Sequence, residues 1–193
     1  KRIKLLDGNC IEKSHHRIKE LRDIAAGPLP GKSLVVYDPL LHLPIDVFPC
    51  EDGHAQERSL LKKVLETIVA DDVWIADRNF CVTQFTCGIN KHDAWFIIRE
   101  HGNYPFELIG KEKYIGKIET GTAYEQRILV RDETGQAHTF RRIRVKLKTE
   151  TRDGDNEIFI ITNLLNSAAN AKTIARLYRD RWTIETAFQR LAQ

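Results

Sequence analysis

Apolar residues in this chain gather in short runs, several of which stop at a carboxylate. Arg2 to Asp7 (RIKLLD) is a largely apolar run closing on Asp7, the pattern of a strand that delivers an acid at its end. A polar stretch with His15 and His16 follows, and Pro28, Pro30 and Gly31 then break the chain. SLVVYD (Ser33 to Asp38) predicts a second strand and PIDVFP (Pro44 to Pro49), after a turn at Pro39, a third, so the three form an antiparallel meander. Between His54 and Ala70, Leu60, Leu61, Val64, Leu65 and Ile68 recur at helical intervals. That spacing predicts an amphipathic helix packed on a sheet. VWIAD (Val73 to Asp77) is almost continuously apolar, as in a strand buried on both faces, and it too closes on an acid.

A brief helix is predicted over Val82 to Ile89 and another buried strand over AWFIIRE (Ala94 to Glu100). The texture then changes. From His101 to about Asn156 six glycines and Pro105 punctuate alternating runs such as YEQRILVR and HTFRRIRVKLK, the pattern of hairpins in a mostly antiparallel sheet. EIFIIT (Glu157 to Thr162) is an apolar strand, and Asn163 to Asn170 is a loop from which Ser167 or Asn170 can cap the next helix. From Ala171 onward Ile174, Leu177, Ile184, Phe188 and Leu191 form one stripe, predicting a long amphipathic helix to the last residue. Two segments of one core, 1–100 and 157–193, are thus expected to flank a β-rich insertion at 101–156.

Composition narrows the class. Of 193 residues, 42% are hydrophobic and 30% charged, which suits a folded globular chain rather than a disordered one. Net charge is only +3, so distribution matters more than the total. Cations cluster at Arg141, Arg142, Arg144, Lys146 and Lys148, and again at Arg176, Arg179, Arg181 and Arg190. The first cluster reads equally as a DNA contact or a solvated strand face. Four cysteines without a close pair are expected as buried or free thiols. No apolar run reaches the roughly 20 residues that span a bilayer. The chain opens on Lys1 and contains no Met, as expected of a piece of a longer protein.

Taken singly, the acids have ordinary readings. Asp7 before Gly8 is a turn residue, Asp77 reads the same way, and Glu185 is half of a helical ion pair with Arg181. Together they suggest more. Tyr178, Arg181 and Glu185 are three and then four residues apart, so at about 100° per residue they share a helix face. A carboxylate from that face can meet two carboxylates from strand ends.

The segments LLDGN around Asp7, IADRNF around Asp77 and LYRDRWTIETAFQRL around Glu185 resemble bacterial insertion-sequence transposases of the DDE class, of the insertion-sequence-four type. That type carries Tyr, two residues, Arg, three residues, Glu, six residues, Lys. Tyr178, Arg181 and Glu185 fit, whereas Ala192 stands where the Lys is expected, with Arg190 nearby. HAQER, with Glu57 and Arg58, is similar as well.

The resemblance implies an α/β, RNase H-like mixed sheet flanked by helices, with the β-rich insertion before the last catalytic helix. It implies that Asp7, Asp77 and Glu185 are catalytic and hold divalent metal, two Mg²⁺ ions with Mn²⁺ able to substitute. Hard oxygen ligands suit such ions. Tyr178 and Arg181 are then phosphate partners, Arg78 a further DNA contact, and Arg141, Arg142 and Arg144 DNA-binding cations of the insertion. The implied reaction is DNA strand cleavage and strand transfer at the ends of a mobile element. Its partners are double-stranded DNA, of element ends and target, and further copies of the chain in a dimer or higher multimer; its setting is the bacterial cytoplasm, associated with the nucleoid and not with membrane. An inactive DNA-binding derivative and a related metal-dependent nuclease are the alternatives.

Overall fold

The structure, a computed structural model, describes residues 2–10, 32–49, 57–151 and 153–181. Among the described residues nine strands form one mixed sheet: β1 (Ile3–Cys10), β2 (Lys32–Asp38), β3 (Leu43–Pro49), β4 (Val73–Ala76), β5 (Trp95–Arg99), β6 (Glu107–Ile118), β7 (Gly121–Arg131), β8 (Ala137–Leu147) and β9 (Glu157–Thr162). Their spatial order is β3-β2-β1-β4-β5-β9-β8-β7-β6. β1, β4 and β5 run parallel to one another, and every other neighbouring pair is antiparallel. An antiparallel meander followed by two parallel strands is the RNase H-like arrangement, and the α/β expectation holds. The residues of the expected insertion supply β6, β7 and β8, which extend the same sheet through β9.

The apolar runs alternate so that each strand feeds two cores. Leu6, Trp74, Ala76, Phe96 and Ile98 face one side, where α1 (Leu61–Leu65) and α2 (Thr83–Lys91) cover them. Leu5, Val73, Ile75 and Ile97 face the other, where α3 (Ala171–Arg179) contributes Ile174, Ala175 and Tyr178. Both cores are continuous across the parallel strands, which is why β4 is apolar at every position and β5 is apolar up to Arg99. The outer strand β6 has two register shifts, and Gly116 at φ 129° follows one of them. Such bulges twist an exposed edge away from further pairing.

Three expectations need correction. β1 does not stop at Asp7: pairing with β2 carries it to Cys10, and only its pairing with β4 ends at Leu6. The helix expected over 54–70 is, among the described residues, a 3₁₀ turn at Glu57–Leu60 followed by the five residues of α1. It closes early because the Thr67 hydroxyl and amide both donate to the Val64 carbonyl, while Ile68 N donates to Leu65 O. Side-chain competition of this kind ends helices, although Ile68 still reaches the core. Finally, regular α3 hydrogen bonding runs from its Asn170 cap to Arg179, after which Arg181 N donates back to Tyr178 O in a tighter turn. The remainder of the long helix expected there lies outside the described residues. Among the described residues no helix is long and apolar enough to cross a membrane.

Candidate functional site

The register fixes the site. Leu6 on β1 lies beside Ala76 on β4, and Ala76 beside Ile98 on β5. The next residue on each chain therefore stands in one row: Asp7, Asp77 and Arg99. Neighbouring strands are about 4.8 Å apart, so the row brings two carboxylates side by side. By alternation all three residues belong to the face of Leu5, Ile75 and Ile97, the face that α3 covers.

Asp7 and Asp77 are each aimed by the backbone that follows. Gly8 N donates to Asp7 Oδ1 at 2.9 Å, and Arg78 N donates to Asp77 Oδ1 at 2.6 Å, where Asp77 opens a 3₁₀ turn over Arg78–Phe80. α3 and the turn that follows it then reach both acids. Arg181 Nη1 donates to Asp7 Oδ2 at 3.0 Å, and Tyr178 OH lies 3.5 Å from Asp77 Oδ1. Arg181 is only 5% exposed, which a guanidinium tolerates because a carboxylate meets it. Burial, opposed by the Arg181 charge and reinforced by Asp77, pushes the Tyr178 phenol up to about 12. Tyr178 therefore keeps its proton and acts as a donor.

Of the acids expected here, the structure brings Asp7 and Asp77 together. Glu185, like Ala192 and Arg190, lies outside the described residues. Among the described residues no three His, Cys, Asp or Glu side chains converge on a metal position. Two half-buried carboxylates side by side supply oxygen ligands alone, with Cys81 and Cys87 buried in the opposite core. That donor set fits a hard divalent cation and does not suit a soft one.

Arg99 carried no expectation in the sequence, although it ends the run AWFIIR as Asp77 ends VWIAD. It donates to Asp155 Oδ2 at 2.6 Å. Together with Lys148, Tyr178, Arg179 and Arg181 it lines a cavity of about 390 Å³ beside the aspartates, floored by apolar residues of β8 and β9. The expected DNA contact Arg78 is exposed at the edge of the site, 3.6 Å from an exposed Asp153 carboxylate.

Arg141, Arg142 and Arg144 do other work. Arg141 grips Glu125 through Nε and Nη2 at 2.8 and 2.9 Å, and its Nη1 donates to the carbonyls of Leu164 and Ala169. Arg142 holds Glu100 and stacks 3.9 Å over Phe159. Arg144 bridges Glu112 and Glu157. Each is committed to partners within the protein, so the basic run is mainly a set of cross-strand clamps rather than a solvated face.

Residues 11–193 match the family model described as a transposase DDE domain. Asp77 and Glu185 fall inside the matched residues, and Asp7 lies outside them, four residues before the match begins. Comparison with curated proteins gave no match.

Proposed function

The chain belongs to the transposase DDE domain family, and from that premise we propose that it cuts DNA phosphodiesters at the ends of a mobile element and joins the freed 3′-hydroxyl to a second duplex. The observation that carries this reading is the row of Asp7 and Asp77 on adjacent parallel strands, each engaged by one residue of the α3 segment.

In this reading Asp7, Asp77 and Glu185 hold divalent metal, with Mg²⁺ the natural ion and Mn²⁺ a substitute. Bound there, such ions would supply Lewis-acid stabilisation of charge on phosphate oxygens and a more acidic hydroxyl nucleophile. The protein's own groups orient the strand. Arg181 brings a planar fork of donors suited to phosphate, and Tyr178 adds a neutral hydroxyl. Arg99, level with Asp77, and Arg78 at the edge extend the cationic surface away from the acids. Arg141, Arg142 and Arg144 are assigned to holding the sheet together.

Tyr178, Arg181 and Glu185 support membership of the insertion-sequence-four type, with Arg190 standing in for the Lys replaced by Ala192. Residues 101–156 are read as an insertion that widens the sheet, and two or more copies as the unit that pairs element ends. Cleavage of element-end DNA by the full chain tests the reaction. Wild type should cut in Mg²⁺ and stop on chelation, while Asp77→Asn should lose about 10²–10³-fold, the scale of removing a principal charge-stabilising group. DNA binding without cleavage by wild type would favour the inactive derivative, and equal cleavage by both would remove Asp77 from the chemistry.

A further inference from the structure

Behind the aspartates, on the opposite face of the sheet, one side chain touches both segments that carry them. Gly8 alternates with Asp7 and so turns its α-carbon toward the 3₁₀ turn Glu57–Leu60. A Cβ built on Gly8 would fall 2.6 Å from Cδ of Glu57 and overlap its carboxylate, so the glycine is what lets Glu57 lie against β1. The same carboxylate accepts from Asn79 Nδ2 at 2.8 Å through Oε2. Asn79 is in turn held at its carbonyl, which accepts from Arg58 Nε at 2.6 Å. Consecutive residues Glu57 and Arg58 thus grasp both ends of Asn79, in the middle of the turn that Asp77 opens.

We propose that Glu57 is a positioning residue: through Gly8 on one side and Asn79 on the other it fixes the separation of Asp7 and Asp77. The inference rests on reading that pair as a metal site. Glu57 itself is no ligand in this arrangement, because it approaches from the face away from α3 and its carboxylate is engaged by an amide. Its effect is indirect. Metal affinity depends on how closely two acids hold a fixed spacing, and groups that orient ligands typically contribute 10–100-fold to it.

Mn²⁺ binding to the full chain without DNA, followed by the loss of the free-ion electron paramagnetic resonance signal, tests this. Glu57→Ala and Asn79→Ala should each weaken Mn²⁺ binding about 10-fold, and the double variant should be no weaker than the poorer single one, because both break one link. Glu57→Gln should bind within about twofold of wild type, since its amide oxygen still accepts from Asn79. If Glu57→Ala does not fold, Asn79→Ala, altered at a half-buried turn, and Glu57→Gln decide the matter. Unchanged affinity in Asn79→Ala, or a Glu57→Gln loss as large as that of Asn79→Ala, would overturn the positioning role; the latter would mean that the Glu57 charge acts directly. Asp77→Asn supplies the reference for a broken site. A wild-type chain that binds no Mn²⁺ would overturn the metal reading itself, and the proposal with it.

Discussion

Tyr178 and Arg181 differ in what they contribute, although both reach an aspartate. The hydroxyl of Tyr178 makes only a long contact with Asp77, while its ring is buried in the α3 core. Tyr178→Phe should therefore change unfolding free energy by less than about 1 kcal/mol, the worth of one ordinary hydrogen bond, and chemical denaturation would detect a larger loss. Arg181→Lys keeps the charge and loses the fork. We expect cleavage to fall about 10-fold, corresponding to about 1.4 kcal/mol of transition-state stabilisation, with DNA binding less affected; single-turnover kinetics separate the two. At this scale the sequence pointed to Asp7, Asp77, Tyr178 and Arg181 as neighbours, and the structure has Arg181 on Asp7 and Tyr178 near Asp77; Glu185 lies outside the described residues. The sequence was silent on Arg99, Asn79 and the Glu57–Gly8 approach, whose meaning depends on register between segments tens of residues apart.

The elements that carry the site are held by ion pairs the pattern did not reveal. Arg141 ties β8 to β7 through Glu125 and to the loop before α3 through the Leu164 and Ala169 carbonyls. Its side chain is mostly buried, so Arg141→Ala leaves Glu125 and two carbonyls without that donor. The expected cost is about 3 kcal/mol, measurable by urea denaturation. The β7–β8 turn is anchored differently. Asp132 accepts from Lys91 on α2, from Thr134, from His138 and from Gln136 N, and these contacts, Lys91 first, hold its carboxyl well below the usual carboxylate range. A depressed folded-state value contributes stability above the unfolded value, near about 4, and the contribution is lost as pH falls below it. Acid unfolding of wild type should therefore steepen below about pH 4, and Asp132→Asn should flatten that part of the profile.

Strand assignments were legible because buried parallel strands need continuous apolar runs and the outer hairpins need alternation with glycine turns. Helix lengths were less so. The apolar spacing through Ile68 is satisfied by a short helix plus a turn, because the Thr67 hydroxyl competes for a helical carbonyl and periodicity does not register that competition. The partners of the basic run of β8 were hidden for a similar reason. Arg141, Arg142 and Arg144 find Glu125, Glu100, Glu112 and Glu157 only once neighbouring strands and loops meet.

For the whole molecule, one sheet runs from the acidic pair to the outer hairpins, so the site and the strands added beyond β5 share a continuous core. The cationic groups near the acids lie on the α3 side, around the cavity that Arg99, Lys148, Arg179 and Arg181 line. DNA bound there should release counterions, and affinity should fall steeply between 50 and 200 mM salt, by roughly 10³-fold if about six phosphates are engaged. The central claim concerns metal between Asp7 and Asp77. Anomalous diffraction at the manganese edge, from crystals of the full chain grown with Mn²⁺, tests it most directly. A peak within about 2.5 Å of carboxylate oxygens of Asp7 and Asp77, joined by Glu185, is the expected result. Manganese bound elsewhere, or Glu185 pointing away from the pair, would contradict it.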